Sequence, residues 1–333
     1  MTTTTPPHSL VLGTAHPGLA TRVGPRIRHF PGGKGDNNCP RFYYVRDGFG
    51  CIFDCAYCYL RRFDYNHPWG AEIDPDIDGL CAEVAHWLAR SGRLGLILGE
   101  VTDAWGWAHL PLVPARNRRL IELFRAQSSH TLIFLTKSGK VHRFLDGVAP
   151  TPQVILSWSV NTPEVAALYE MGGEHAQSRL QDAIACREKG WRIRLRLDPM
   201  IPVAGWASHY AILAEQIARD VRPEQVTCGS WRPRPRDPMY RRAPADLRAL
   251  LEAGPDGRLR LRNRLAMYEH VWSVLRGHVP ELSLCKEELP VQAALYGAFS
   301  VTAQSCNCLG VATAPVTTAA SRRRLPVVQG GDD

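Results

Sequence analysis

From about residue 77 to residue 228, short apolar runs alternate with runs of helical spacing, and this constrains the fold more than any other feature of the chain. Segments 94–98, 131–136, 153–159, 191–197 and 225–228 are short and rich in β-branched and apolar residues, as strands are. Between them, segments 77–89, 117–126, 174–189 and 208–220 space their apolar residues as a helix does, and a shorter helix fits 140–146. Ile77, Leu80, Val84 and Leu88 mark the first helical stripe, and Gly190 supplies a stop for the third. Strand–helix units repeating about every 35 residues predict a parallel sheet, here an α/β fold with a partial (β/α)6-type barrel. The expected division is an N-terminal arm over 1–40, a barrel core over 41–229, a cysteine-containing C-terminal extension over 230–312 and a flexible tail over 313–333.

Functional groups of such barrels collect at the C-terminal ends of the strands. Glu100, Asp103, Lys137, Ser159, Asn161 and Asp198 all stand at or just beyond those ends. So many polar groups on one rim point to a site there, against the alternative of ordinary loop polarity.

Ahead of the alternation lies Cys51-Ile-Phe-Asp-Cys55-Ala-Tyr-Cys58, entered through Gly48-Phe49-Gly50. A zinc ribbon needs a second C-x-x-C pair at its own spacing, and a redox motif has two cysteines rather than three. Three thiolates this close suit three irons of a [4Fe-4S] cube, with the fourth iron left open. The competing reading is a zinc knuckle.

The spacing C-x3-C-x2-C, with Tyr57 before the last cysteine, resembles the signature of the radical SAM superfamily. Phe134-Leu-Thr-Lys137, Trp158-Ser-Val-Asn161, segment 180–190 and segment 199–210 with Gly205-Trp206 and Tyr210 extend the likeness. Over about residues 40–225 the chain resembles the spore photoproduct lyase branch. The resemblance implies that Cys51, Cys55 and Cys58 hold a [4Fe-4S] cluster whose open iron chelates S-adenosylmethionine (SAM). It implies Tyr57 beside the adenine and Glu100 on the SAM amino group. Lys137 and Ser159, with Asn161, are then expected on the SAM carboxylate and ribose. A zwitterion needs a cation for its carboxylate and an acceptor for its ammonium group. The implied chemistry is one-electron cleavage of SAM to a 5′-deoxyadenosyl radical, with a flavodoxin- or ferredoxin-type reductant.

One departure stands out. Photoproduct lyases carry a hydrogen-donating cysteine after the second strand, where this chain reads Leu98-Gly-Glu-Val-Thr-Asp103. A carboxylate at Glu100 cannot donate a hydrogen atom as a thiol does, and nothing in the sequence places Tyr57 or Tyr59 to replace it. The expected substrate is therefore a nucleoside-like small molecule in a biosynthetic reaction, with dimer repair of nucleic acid as the disfavoured alternative. A non-catalytic zinc module is the third reading.

A second thiol group, Cys285 with Cys306-Asn-Cys308, lies beyond the barrel. Two near-adjacent cysteines in a polar loop are poor packing material, so a second [4Fe-4S] cluster is expected there, with zinc as the alternative. Its fourth ligand is left open between Cys39, Cys228 and a non-protein group, and an open iron would suit sulfur insertion. Cys81 and Cys186 read as buried packing.

Composition bears on compartment and partners. Ten cysteines without a basic-then-apolar leader argue for a reducing cytoplasm and metal binding rather than disulfides. No apolar run of about 18 residues predicts a membrane span. The net charge of +8 comes partly from Arg232-Pro-Arg-Pro-Arg236, Arg241-Arg242 and Arg322-Arg323-Arg324. The tail arginines read as solvated. Segment 232–242, with Trp231 and Tyr240 for stacking, is open between phosphate contact and solvated loop.

Overall fold

The computed structural model describes residues 24–33, 39–62, 72–170, 172, 174–233, 238–252, 257–301 and 306–310. The tail with Arg322–Arg324, residues 1–23 of the arm, and Arg234 and Arg236 lie outside the described residues.

Eight strands form one open sheet: β1 (Ile27–Phe30), β2 (Phe42–Val45), β5 (Gly95–Leu98), β6 (Thr131–Thr136), β7 (Val154–Ser159), β8 (Arg192–Met200), β9 (Gln225–Ser230) and β10 (Glu281–Leu284). They lie in that order. From β2 to β10 every pair is parallel, and only β1 runs antiparallel, against β2. β1 and β10 are the free edges, so the molecule is a partial barrel, as its strand–helix alternation predicts. A small ribbon of β3 (Gly48–Phe49) and β4 (Glu72–Ile73) flanks the entry to the cysteine loop.

The helices are α1 (Ile77–Leu88), α2 (Leu112–Arg125), α3 (Val141–Phe144), α4 (Pro163–Tyr169), α5 (Ala176–Glu188), α6 (Trp206–Gln216), α7 (Pro238–Arg242), α8 (Ala245–Ala249), α9 (Leu261–Leu275) and α10 (Leu289–Phe299). Local chemistry explains several of the boundaries. Asp76 caps α1 by accepting from the Gly79 amide at 2.8 Å. Thr162 caps α4 ahead of Pro163, and Gly190 leaves α5 at φ 92°.

The sheet buries both faces, which is why β6 reads as an unbroken apolar run. Leu96, Leu98, Leu132, Phe134, Val154 and Leu156 face the main, helix-covered core. Ile97, Ile133, Leu135 and Ile155 face the other way, into a smaller cluster closed by Cys306 and Cys308. Segment 306–310 thus lies across the inner face of the barrel. Asn307 donates to Ser157 at 2.7 Å, and Arg194 donates to the Leu309 carbonyl at 2.5 Å.

Segments on either side of the barrel core join its sheet. The arm supplies β1, whose Ile27 pairs with Val45. The region beyond 229 supplies β10 on the edge of the same sheet, and α9 and α10 pack into the same core. In β8 the alternate residues Arg194 and Arg196 are buried, because segment 306–310 covers that face.

Candidate functional site

Gly50, at φ 78°, turns the chain from β3 into the cysteine loop. The loop is then clamped by backbone bonds. Cys58 N–H donates to the Cys55 carbonyl at 3.0 Å, Ala56 N–H to Tyr169 at 2.7 Å, and Gly172 N–H to Phe53 at 3.2 Å. Two glycines permit that closeness. A Cβ on Gly106 would sit 2.9 Å from Ile52 Cγ2, and one on Gly172 only 2.4 Å from the Ile52 carbonyl oxygen. Cys51, Cys55 and Cys58 consequently line one cavity at the C-terminal ends of the strands.

Tyr57, Glu100, Asp103, Lys137, Ser159 and Asp198 line the same cavity. Sequence reasoning missed the group that organises this side, Glu170, at the end of α4. It accepts from the Tyr57 hydroxyl, pairs with Arg179 at 2.5 Å and lies 3.8 Å from Lys137 Nζ. Burial pushes the Glu170 carboxyl up, but Lys137, Arg179 and the Tyr57 hydrogen bond outweigh it and hold it below the usual range. Lys137 Nζ also stands 5.6 Å from the centre of the Tyr57 ring. Asp103 is a tie between loops. It accepts from Thr136 at 2.6 Å, Lys137 N–H at 2.8 Å, Trp105 N–H at 2.9 Å and Gly106 N–H at 2.7 Å.

Asn161, expected beside these residues, does not line the cavity. It is buried outside the cavity, and its amide donates to the Pro199 carbonyl at 2.7 Å. Its side-chain oxygen accepts from Tyr210 at 2.8 Å and from Thr162 N–H at 3.0 Å. These bonds fasten β8 to α4 and α6. Trp231 and Arg232 also differ from a surface nucleic-acid platform. Both face the cavity, with Trp231 buried and Arg232 donating to Asp198 at 2.7 Å.

The second thiol group faces the first. Cys285 follows β10 and is anchored by its N–H to the Cys228 carbonyl at 2.7 Å. Cys306 and Cys308 lie side by side, and all three line the cavity that Cys51, Cys55 and Cys58 line. Beside the second group, on the same cavity, sits Arg196, whose guanidinium lies 2.7 Å from Cys308 Sγ and 3.3 Å from Glu100 Oε2. Its buried Nε–H has no acceptor among the described residues. Cys39 lines the cavity as well, whereas Cys81, Cys186 and Cys228 pack in the main core.

Burial pushes Cys55 and Cys39 up to about 12 and raises Cys51, while Cys308 is raised first by its bond with Cys306 and then by burial. Bare Cys39, Cys51, Cys55 and Cys308 hold their protons at neutral pH, and a bound metal would reverse that. Among the described residues no three His, Cys, Asp or Glu side chains gather as ligands of one ion. Cubane ligands each take a different iron and stand further apart, so the two soft thiol sets on a shared cavity fit iron–sulfur clusters.

The family model for spore photoproduct lyase matches residues 39–228, more than half of the chain. The chain belongs to the spore photoproduct lyase family. The match places it in the corresponding branch of the radical SAM superfamily. The spore photoproduct lyase of Clostridium acetobutylicum is 22% identical over 172 residues, 50% of this chain and 49% of that protein. That of a Geobacillus species is 25% identical over 181 residues, 54% and 52% of the two chains. The chain therefore spans about half the length of these curated relatives. A solved spore photoproduct lyase complexed with dinucleoside spore photoproduct shares the fold, with TM-score 0.62 and 19% identity over 77% of this chain and 78% of that one. A variant with AdoMet and the same dinucleoside bound has TM-score 0.61 at 19% identity, with equal coverage. The cavity of this chain carries the three-cysteine loop and, at the turn after β5, Glu100 paired to Arg196.

Proposed function

We propose that this protein is a radical SAM enzyme acting on a nucleoside-like substrate held between its two thiol groups. The observation that carries the reading is the single cavity that joins Cys51, Cys55 and Cys58 to Lys137, Ser159 and Glu100. Those cysteines would hold a [4Fe-4S] cluster. With SAM bound at its open iron, such a cluster would supply one-electron reductive cleavage of the sulfonium and so the means of hydrogen abstraction from the substrate.

The remaining roles belong to the chain. Lys137, held by Glu170, would face the SAM carboxylate, and Ser159 the ribose. The Tyr57 ring, fixed by its hydroxyl, would flank the adenine. Glu100, 3.3 Å from Arg196, would accept from the SAM ammonium group or from substrate. The walls exclude water from a reactive radical and position the target carbon. Cys285, Cys306 and Cys308 would hold a second cluster. Relatives bound to a dinucleoside support the nucleoside-like substrate, and a flavodoxin- or ferredoxin-type protein is the natural one-electron donor. Ten free thiols suit a reducing compartment such as the cytoplasm. Among the described residues no helix is long and apolar enough to cross a membrane.

The test is anaerobic reconstitution, reduction and assay of 5′-deoxyadenosine from SAM. Wild type should form it and Cys55→Ala should not; turnover by Cys55→Ala sinks the proposal.

A second reading is favoured by one observation. The hydrogen-donating cysteine is absent after β5, but Cys39, Cys285, Cys306 and Cys308 bring four other thiols to the cavity. A thiol among them would let the chain reverse a thymine photoproduct. Incubation with dinucleoside spore photoproduct separates the readings: its conversion to unlinked thymidine units establishes repair, and 5′-deoxyadenosine without it leaves the biosynthetic reading.

A further inference from the structure

We infer that Cys39 is the fourth ligand of the second cluster, so that four thiolates close it. The inference rests on the reading of Cys285, Cys306 and Cys308 as cluster ligands. Four observations on Cys39 carry it.

The first is placement. Cys39 enters the smaller core cluster of the inner face, against Cys306 and Cys308, and lines the cavity with all three thiols. Cys228, the other thiol near Cys285, points to the opposite face of the sheet, into the main core. A thiol there is separated from the cavity by the backbone of β9.

The second is anchoring. The Cys39 carbonyl accepts from Gly33 N–H at 2.8 Å, and Gly32, at φ 100°, has no room for a side chain, since a Cβ would lie 3.2 Å from that carbonyl. The turn holds Cys39 just ahead of β2, beside the strands that carry the rest of the site.

The third is an unmet hydrogen bond. Arg196 is buried, donates to Cys308 Sγ, and still has an Nε–H without an acceptor among the described residues. Cluster sulfide or thiolate is such an acceptor, and it lies in the space these four thiols border.

The fourth is charge. Arg196 and Arg232 flank the thiols but are paired with Glu100 and Asp198. Lys286 adds a cation that acts on Cys39, and among the described residues it makes no ion pair within 4.0 Å; its ammonium group rests over the Phe30 and Tyr59 rings. Four thiolates on a cubane carry a net negative charge, and a buried negative charge needs such a partner.

A cluster closed by four thiolates has no open iron for a substrate atom and none from which a sulfide is readily drawn. The sulfur-insertion role expected for a three-cysteine cluster is thereby disfavoured, and electron exchange is the chemistry that remains.

The experiment uses the full chain carrying Cys51→Ala, Cys55→Ala and Cys58→Ala, so that only the second cluster is loaded. Iron, sulfide and EPR spectra are read before and after mild ferricyanide oxidation. With Cys39 intact, about four irons should survive as a diamagnetic cubane. Adding Cys39→Ala should release one iron on oxidation and give the paramagnetic [3Fe-4S] signal, whereas adding Cys228→Ala should change nothing. Circular dichroism confirms that each variant is folded, and Cys39→Ser provides a smaller perturbation of the same site. Equal oxidative behaviour with and without Cys39 overturns the fourth-ligand assignment while leaving the second cluster standing. A folded triple variant that binds no iron overturns the second cluster itself.

Discussion

Arg196 places a guanidinium nitrogen 2.7 Å from the sulfur of Cys308, which lies 112 residues further along the chain. The contact joins β8 to the segment that covers the inner face of the barrel. It also sets a positive charge beside the second thiol group, where it pairs with Glu100.

Outer-shell partners of metal ligands commonly change metal affinity by about 10–100-fold. Arg196→Met should therefore lose iron from the second group to a chelator about tenfold faster. The Cys51, Cys55 and Cys58 cluster should be unaffected. Parallel chelator time courses in the triple-alanine background and in wild type check this. Equal rates would show that Arg196 serves only the fold.

Glu170 pairs with the half-buried Lys137 and the buried Arg179, and holds the Tyr57 hydroxyl. Glu170→Gln leaves Arg179 and Lys137 without their carboxylate, a change that typically costs about 3–5 kcal/mol. Urea unfolding of the purified protein should show that loss, and SAM binding should weaken because Tyr57 and Lys137 lose their anchor. Unchanged unfolding would mean that water or Glu174 replaces the carboxylate.

The cysteine loop passes so close to Gly172 that a Cβ would meet the Ile52 carbonyl oxygen at 2.4 Å. Gly172→Ala must shift the backbone between Cys51 and Cys55, and iron bound by the first group should drop. Gly297, within α10, is the natural control, because a Cβ there would meet nothing within 4 Å. Gly297→Ala should leave iron unchanged and raise stability by about 0.5–1 kcal/mol through helix propensity.

Glu224 accepts from Arg192 at 2.8 Å and from Arg194 at 2.6 Å. Burial raises its carboxyl, but those two arginines outweigh burial and hold it below its ordinary value of 4.5. A carboxyl depressed on folding contributes stability that is fully present above 4.5 and is lost as pH falls through its folded value. Wild type should thus lose stability on acidification below that point, and Glu224→Gln should show a shallower acid limb. Urea midpoints measured across that range for both proteins provide the comparison.

Much of this was open to the sequence alone. Hydrophobic period marks strands and helices because burial is local to each element, and the boundaries of α1, β6 and α5 follow from it. The spacing of Cys51, Cys55 and Cys58 marks a cluster because ligands in one loop are near in space whatever the fold. Lys137, Ser159 and Glu100 were found from a topological rule, that strand ends carry the site. Tertiary structure decided the rest. Asn161 sits at a strand end like the others, yet its hydrogen bonds turn it into the core. Arg194 and Arg196 alternate along β8 as solvent-facing residues do, and they are buried only because segment 306–310, more than a hundred residues later, lies over them. Glu170 and Cys39 gain their roles from neighbours remote in the chain. Local pattern records which side of an element is apolar; which distant segment covers the other side is a property of chain closure, and no local pattern carries it.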